Sequence, residues 1–127
     1  MIYETIDLNI KDNVAVLTLD RPEVMNALNA QMRAEILHAV LHSTEVARVL
    51  VMTGAGIAFC SGQDLNDSGV VGKIDLERSL RDQYNPMLQA ITDSPIPTIS
   101  AVNGPAAGAG ANLALAADVV IAADNAY

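Results

Sequence analysis

The sequence predicts an α/β fold in which an opening pair of antiparallel strands is followed by strands that run parallel. Three observations carry that expectation. Short runs of β-branched and aliphatic residues recur at Ile2–Ile10, Val14–Leu19, Arg48–Thr53, Pro97–Val102 and Asp118–Ala122. After the first two, the runs are separated by stretches of helical spacing, long enough to return the chain to the edge it left. Hydrophobic residues make up 51% of the 127 but aromatic residues only 3%, so the core is aliphatic. The order reads β-β-α-β-α-(broken α)-β-α-β, an α/β layering without repeats, low-complexity linkers or a second zone of composition.

The first run alternates Ile6, Leu8 and Ile10 with Asp7, Asn9 and Lys11. Lys11-Asp12-Asn13 then turns the chain into a more apolar second strand. Asp20-Arg21-Pro22-Glu23 ends the hairpin, and Asn29 is placed to cap a helix. Met32, Ile36, Leu37, Val40 and Leu41 share one arc of it, opposite Gln31, Glu35, His38, His42 and Glu45. Arg33 falls in the apolar arc, where its stem is expected to pack and its head to reach water. His38 and His42 have the four-residue spacing of two metal ligands, but no third ligand accompanies them, and a solvated face is the better reading.

The third strand leads into Gly54-Ala55-Gly56. A dinucleotide-binding turn is disfavoured there, because Phe59 stands where a third glycine is needed and no helical period follows. Cys60 lies in an apolar run without a histidine partner, which favours packing over nucleophilic chemistry. Asp67 to Lys73 reads as a polar loop. Leu76, Leu80, Tyr84, Leu88 and Ile91 share a helical face, broken so that Asn85 caps a second segment beginning at Pro86.

Between the fourth and fifth strands, Asn103-Gly104-Pro105 turns into Ala106-Ala107-Gly108-Ala109-Gly110-Ala111, with a helix expected from Leu113 to Ala117. Such small residues suit two different ends. They bare the peptide N–H groups to a ligand where a helix begins, or they let helix and strand pack closely. Asp64 and Asp118 have structural explanations, at a helix start and in a turn respectively. Seven Lys and Arg against 15 Asp and Glu give a charge of −8, which disfavours nucleic acid. No apolar run reaches membrane-spanning length, the N-terminus lacks a signal pattern, and a single cysteine cannot form an internal disulfide. A cytoplasmic location is the expectation.

Three blocks carry a family resemblance: 21–29 (Arg-Pro-Glu-Val-Met-Asn-Ala-Leu-Asn), 56–65 (Gly-Ile-Ala-Phe-Cys-Ser-Gly-Gln-Asp-Leu) and 101–110 (Ala-Val-Asn-Gly-Pro-Ala-Ala-Gly-Ala-Gly). In this order and spacing the chain resembles the crotonase, or enoyl-CoA hydratase/isomerase, superfamily. Gly62-Gln63-Asp64-Leu65-Asn66-Asp67, Tyr84-Asn85-Pro86 and 106–115 look most like the ring-epoxide isomerases that act on 1,2-epoxyphenylacetyl-CoA.

The resemblance implies the N-terminal part of one crotonase-like ββα spiral domain, stopping before the C-terminal helical region. An isolated 127-residue product would then expose apolar faces and associate. It also implies an acyl-CoA thioester as substrate, no separate cofactor and no metal, and assembly into trimers or hexamers. The backbone N–H groups of Gln63 and Ala109, the latter flanked by Gly108, would stabilise a thioester enolate. Arg21, Met25, Ala27, Ala58, Asp64, Leu65 and Gly108 would line the acyl-CoA site. Some relatives have a lysine at the position of Val24, so Arg21 is the candidate cation for the CoA phosphates. Asn112 stands where hydratases have a glutamate. An amide cannot take up or give a proton at neutral pH, which favours an isomerase over a hydratase and puts the general acid after Tyr127. A CoA-binding module without catalysis and a dinucleotide-binding domain are the alternatives.

Overall fold

The computed structural model describes residues 2–64 and 84–127. Leu65, the polar 67–73 stretch, Leu76 and Leu80 lie outside the described residues. β1 (Ile6–Lys11) and β2 (Val14–Leu19) form the expected antiparallel hairpin, with Ile6 opposite Leu19 and Lys11 opposite Val14. Asp12 and Asn13 both have positive φ (53° and 68°), the backbone that a two-residue hairpin turn requires and that Asp and Asn tolerate. A 3₁₀ turn (Pro22–Val24) and α1 (Ala30–Val46) lead to β3 (Val49–Gly54). Then come α2 (Asn85–Thr92), β4 (Thr98–Val102), α3 (Ala109–Leu115) and β5 (Val119–Ala122). The sheet order is β1-β2-β3-β4-β5, parallel from β2 onward.

Side-chain alternation places the core on one face of this sheet. Ala15, Leu17 and Leu19 from β2, with Leu50 and Met52 from β3, are buried against Met32, Ile36, Ala39 and Val40 of α1. Met87 and Ile91 of α2 and Phe59 complete it. Every residue of β5 is exposed, and Val119, Val120 and Ile121 stand beside exposed Leu115 at that edge. No helix among the described residues is long and apolar enough to cross a membrane.

Asn29 caps α1 as expected, accepting the Met32 N–H at 2.8 Å. The arcs of α1 differ from the sequence reading at three side chains. Leu41 is 51% exposed, whereas Glu35 and Arg33 are buried. The Arg33 head does not reach water, because it donates to the Leu28 carbonyl (3.1 Å) and the Tyr84 hydroxyl (3.3 Å) and lies 4.7 Å from the centre of the Tyr84 ring. Asn85 is no cap either: it is the first residue of α2, and Tyr84 before it already has helical dihedrals. α3 begins at Ala109, four residues before its first long apolar side chain, because its first turn packs on the backbone of Cys60. A Cβ on Gly110 would lie 2.2 Å from the Cys60 carbonyl oxygen.

Glu35 explains why β1 begins at Ile6 rather than Ile2. Its carboxylate accepts the N–H groups of Glu4 (3.0 Å) and Thr5 (2.9 Å) and the Thr5 hydroxyl (2.8 Å), so those groups bind α1 instead of β2. Burial alone would raise the Glu35 pKa; the hydrogen bonds from Thr5, Gln31 and Glu4 outweigh it and hold the pKa below the ordinary glutamate value. A pKa lowered by folding stabilises the native state above the unfolded value, and that contribution is lost as pH falls through the folded one. Glu35→Gln is therefore expected to lower unfolding free energy by about 1–3 kcal/mol at pH 7. In denaturant titrations the gap to the parent protein should close as the pH drops below about 4.

Candidate active site

The segment after β3 runs as the middle of three irregular strands. On one side Ser61 N–H donates to the Met25 carbonyl (2.9 Å), Leu28 N–H to the Gly62 carbonyl (2.7 Å) and Asp64 N–H to the Leu28 carbonyl (3.0 Å). On the other, Phe59 and Cys60 N–H donate to the Pro105 carbonyl (3.0 and 3.2 Å), and Ala107 N–H donates to the Cys60 carbonyl (3.1 Å). The three sequence blocks thus lie side by side.

Two asparagines hold that segment. Asn26 is fully buried with φ 59°, a conformation asparagine tolerates better than most residues. Its Nδ2 donates to the carbonyls of Ala55 (3.0 Å), Ala58 (3.0 Å) and Phe59 (3.1 Å), and its Oδ1 accepts the Arg21 N–H (2.8 Å). From the opposite side Asn103 accepts the Gly54 N–H (3.0 Å) and donates to the carbonyls of Gly56 and Ala58, both 3.2 Å. The sequence reading assigned neither asparagine a clamping role. For Asn26 the available signal was an asparagine directly after a turn, the residue type that combines a left-handed backbone with a two-sided amide.

The bonds of Leu28 to Gly62 and Asp64 leave Gln63, between them, facing the other edge with its own N–H. Gly62 makes this reversal possible with φ 107°. Ala109 lies on that edge; its nitrogen is 3.7 Å from where a Gly62 Cβ would stand. Among the described residues, no backbone carbonyl accepts the N–H of Gln63 or Ala109, although Gly110 N–H is taken by Ala107 and Asn112 N–H by Gly108. Gly108 reaches α3 with φ 53° and open space beside it.

Gln63, Gly108, Ala109 and Asn112 line one cavity of about 430 Å³ together with Tyr84, Asn85 and Leu88. None of these side chains is charged. Fixed peptide dipoles in a partly enclosed site act more strongly on a developing negative charge than they would in water. The cavity wall is itself braced: buried Arg33 donates to the Tyr84 hydroxyl, which donates to Gln63 Oε1.

Arg21, Met25, Ala27, Ala58 and Asp64 are not among the described residues that line this cavity. Arg21 donates to the Ala27 carbonyl (2.6 Å) and forms a salt bridge with Asp64 (3.0 Å), joining the first block to the second. Ala27 and Ala58 are buried, and Met25 is partly exposed with φ 54°. Cys60 is buried with its thiol on the Asn26 carbonyl (3.1 Å), and burial pushes its pKa up to about 11, the reverse of what a nucleophile needs. Asp118 and Thr98 exchange two hydrogen bonds (3.0 and 2.9 Å) between a strand start and a turn. His38 accepts or donates at Tyr3 (2.8 Å) and stacks on His42. Among the described residues no three His, Cys, Asp or Glu side chains cluster to hold a metal.

The sheet and the three adjacent blocks have the form of a crotonase fold, and the family profile for enoyl-CoA hydratase/isomerase matches residues 9–127. The chain belongs to that family. Among curated proteins it is 60% identical over 126 residues to a probable enoyl-CoA hydratase of Rhodobacter capsulatus, covering 99% of this chain and 49% of that one. It is 45% identical to the 1,2-epoxyphenylacetyl-CoA isomerase of Escherichia coli K12, covering 93% of this chain and 47% of the relative. The crystal structure of an enoyl-CoA hydratase from Bacillus anthracis superposes with a TM-score of 0.90 at 29% identity, covering 97% of this chain and 49% of that one. The chain spans about half the length of the curated relatives it matches.

Proposed function

We propose that the protein acts on an acyl-CoA thioester as an isomerase, with the backbone N–H groups of Gln63 and Ala109 bound to the thioester oxygen. The carrying observation is that these two N–H groups, without backbone acceptors among the described residues, belong to residues lining one cavity. When a proton leaves the carbon beside the thioester, charge moves onto that oxygen, and each fixed donor lowers the barrier by roughly 3–4 kcal/mol. Asn112 lines the same cavity but its amide cannot take up or release a proton at neutral pH, so it is not the acid–base group. The likeness to an epoxyphenylacetyl-CoA isomerase supports a ring-epoxide or enoyl substrate.

A second reading, hydration of an enoyl-CoA, is supported by the probable hydratase at 60% identity. The full protein works in the cytoplasm as a homotrimer or hexamer and needs no cofactor besides its CoA substrate. The test uses full-length protein and 3-enoyl-CoA in deuterated water. The double bond should migrate from C3 to C2, the proton leaving the carbon beside the thioester and a proton or deuteron arriving at C4, with little water added to crotonyl-CoA. Hydration of crotonyl-CoA outpacing migration would establish the second reading; no migration would overturn the first.

A further inference from the structure

We infer that the side chain of Gln63, as distinct from its backbone, reads an oxygen atom on the acyl group close to the thioester. Gln63 Nε2 is buried and has no hydrogen-bond partner. A buried donor left empty is costly, and such a group calls for a missing acceptor. Its orientation is set from behind. Arg33, which can only donate, supplies a hydrogen to the Tyr84 oxygen, and the Tyr84 hydroxyl in turn donates to Gln63, where it needs an acceptor. The amide oxygen fills that role, and the amide nitrogen is left as the open end of the relay Arg33–Tyr84–Gln63.

That nitrogen belongs to a residue of the cavity wall, and the other described residues of the wall carry no charge. An uncharged acyl group bearing an ether, epoxide or hydroxyl oxygen matches this chemistry, whereas a plain hydrocarbon leaves the donor unsatisfied. The same residue supplies the N–H assigned to the thioester oxygen, so the acceptor lies within the reach of one glutamine side chain from that oxygen. This assignment rests on the acyl-CoA reading above and narrows its substrate to acyl groups oxygenated near the thioester.

The probes are three CoA thioesters of one length: pentanoyl-CoA, and ethoxyacetyl-CoA and 3-methoxypropanoyl-CoA, in which an ether oxygen replaces one methylene. Binding to the full-length protein is measured by calorimetry, and α-proton exchange of pentanoyl-CoA by NMR in deuterated water. At least one ether should bind about fivefold to tenfold more tightly than pentanoyl-CoA. Gln63→Leu should bring that ratio to about one. Gln63→Glu, which keeps the acceptor for Tyr84 but offers no donor to the ligand, should invert it. Exchange of pentanoyl-CoA with no ether preference, or a preference that survives in either variant, overturns the Gln63 assignment alone. Absence of both binding and exchange removes the acyl-CoA reading and the assignment with it.

Discussion

Ala109→Pro in the full-length protein is expected to lower kcat by about 10²- to 10³-fold while leaving the melting temperature within a few degrees. Ala109 is the first residue of α3, where proline is well accommodated because its fixed φ suits a helix start. The preceding Gly108, with φ 53° and ψ −123°, is not in the helical region that proline disfavours before it. The substitution therefore deletes one N–H and little else. Nothing else in the described fold uses that N–H as a backbone donor, so its loss should register in turnover, not in stability. Unchanged turnover by the proline variant, in a protein that melts normally, would remove Ala109 from the proposed chemistry.

The second large effect concerns Asn26, where stability rather than turnover is the readout. Asn26→Ala withdraws the donor shared by the carbonyls of Ala55, Ala58 and Phe59 and the acceptor of the Arg21 N–H. Ala58 keeps its bond from Asn103, but Ala55 and Phe59 lose a partner in a place water does not reach freely. Each stranded group costs about 1–3 kcal/mol, and alanine at φ 59° adds about 1 kcal/mol more. A loss of about 3–5 kcal/mol in unfolding free energy is expected from urea titration. Asn26→Asp should be worse, since it turns a buried anion toward the same carbonyl oxygens. A change under 1 kcal/mol for either variant would show that the 55–60 segment is held without Asn26.

The linear pattern made much of this protein legible. The hairpin turn at Asp12-Asn13, the Asn29 cap and the parallel run of later strands follow from short-range rules that neighbouring residues obey by themselves. The two ends that the small residues of 106–111 could serve were left open by sequence, and the structure shows the packing one. Gly110 is there for close packing on Cys60, and Gly108 opens into space at the cavity. The misreadings share one character. Glu35, Arg33 and Leu41 were assigned by helical period, which asks where a side chain points and not what waits for it there.

What the sequence determined by itself was the order of elements and the direction of the strands. Periodicity and turn chemistry act over a few residues, and three spaced blocks carried the family likeness. Only the tertiary structure decided which polar groups are buried. Glu35 is taken inside by Thr5, thirty residues away, Arg33 by Tyr84, fifty-one residues away, and Arg21 by Asp64, forty-three residues away. A polar group enters a core only when its partner is already there, and that partner is chosen by the folding of the whole chain.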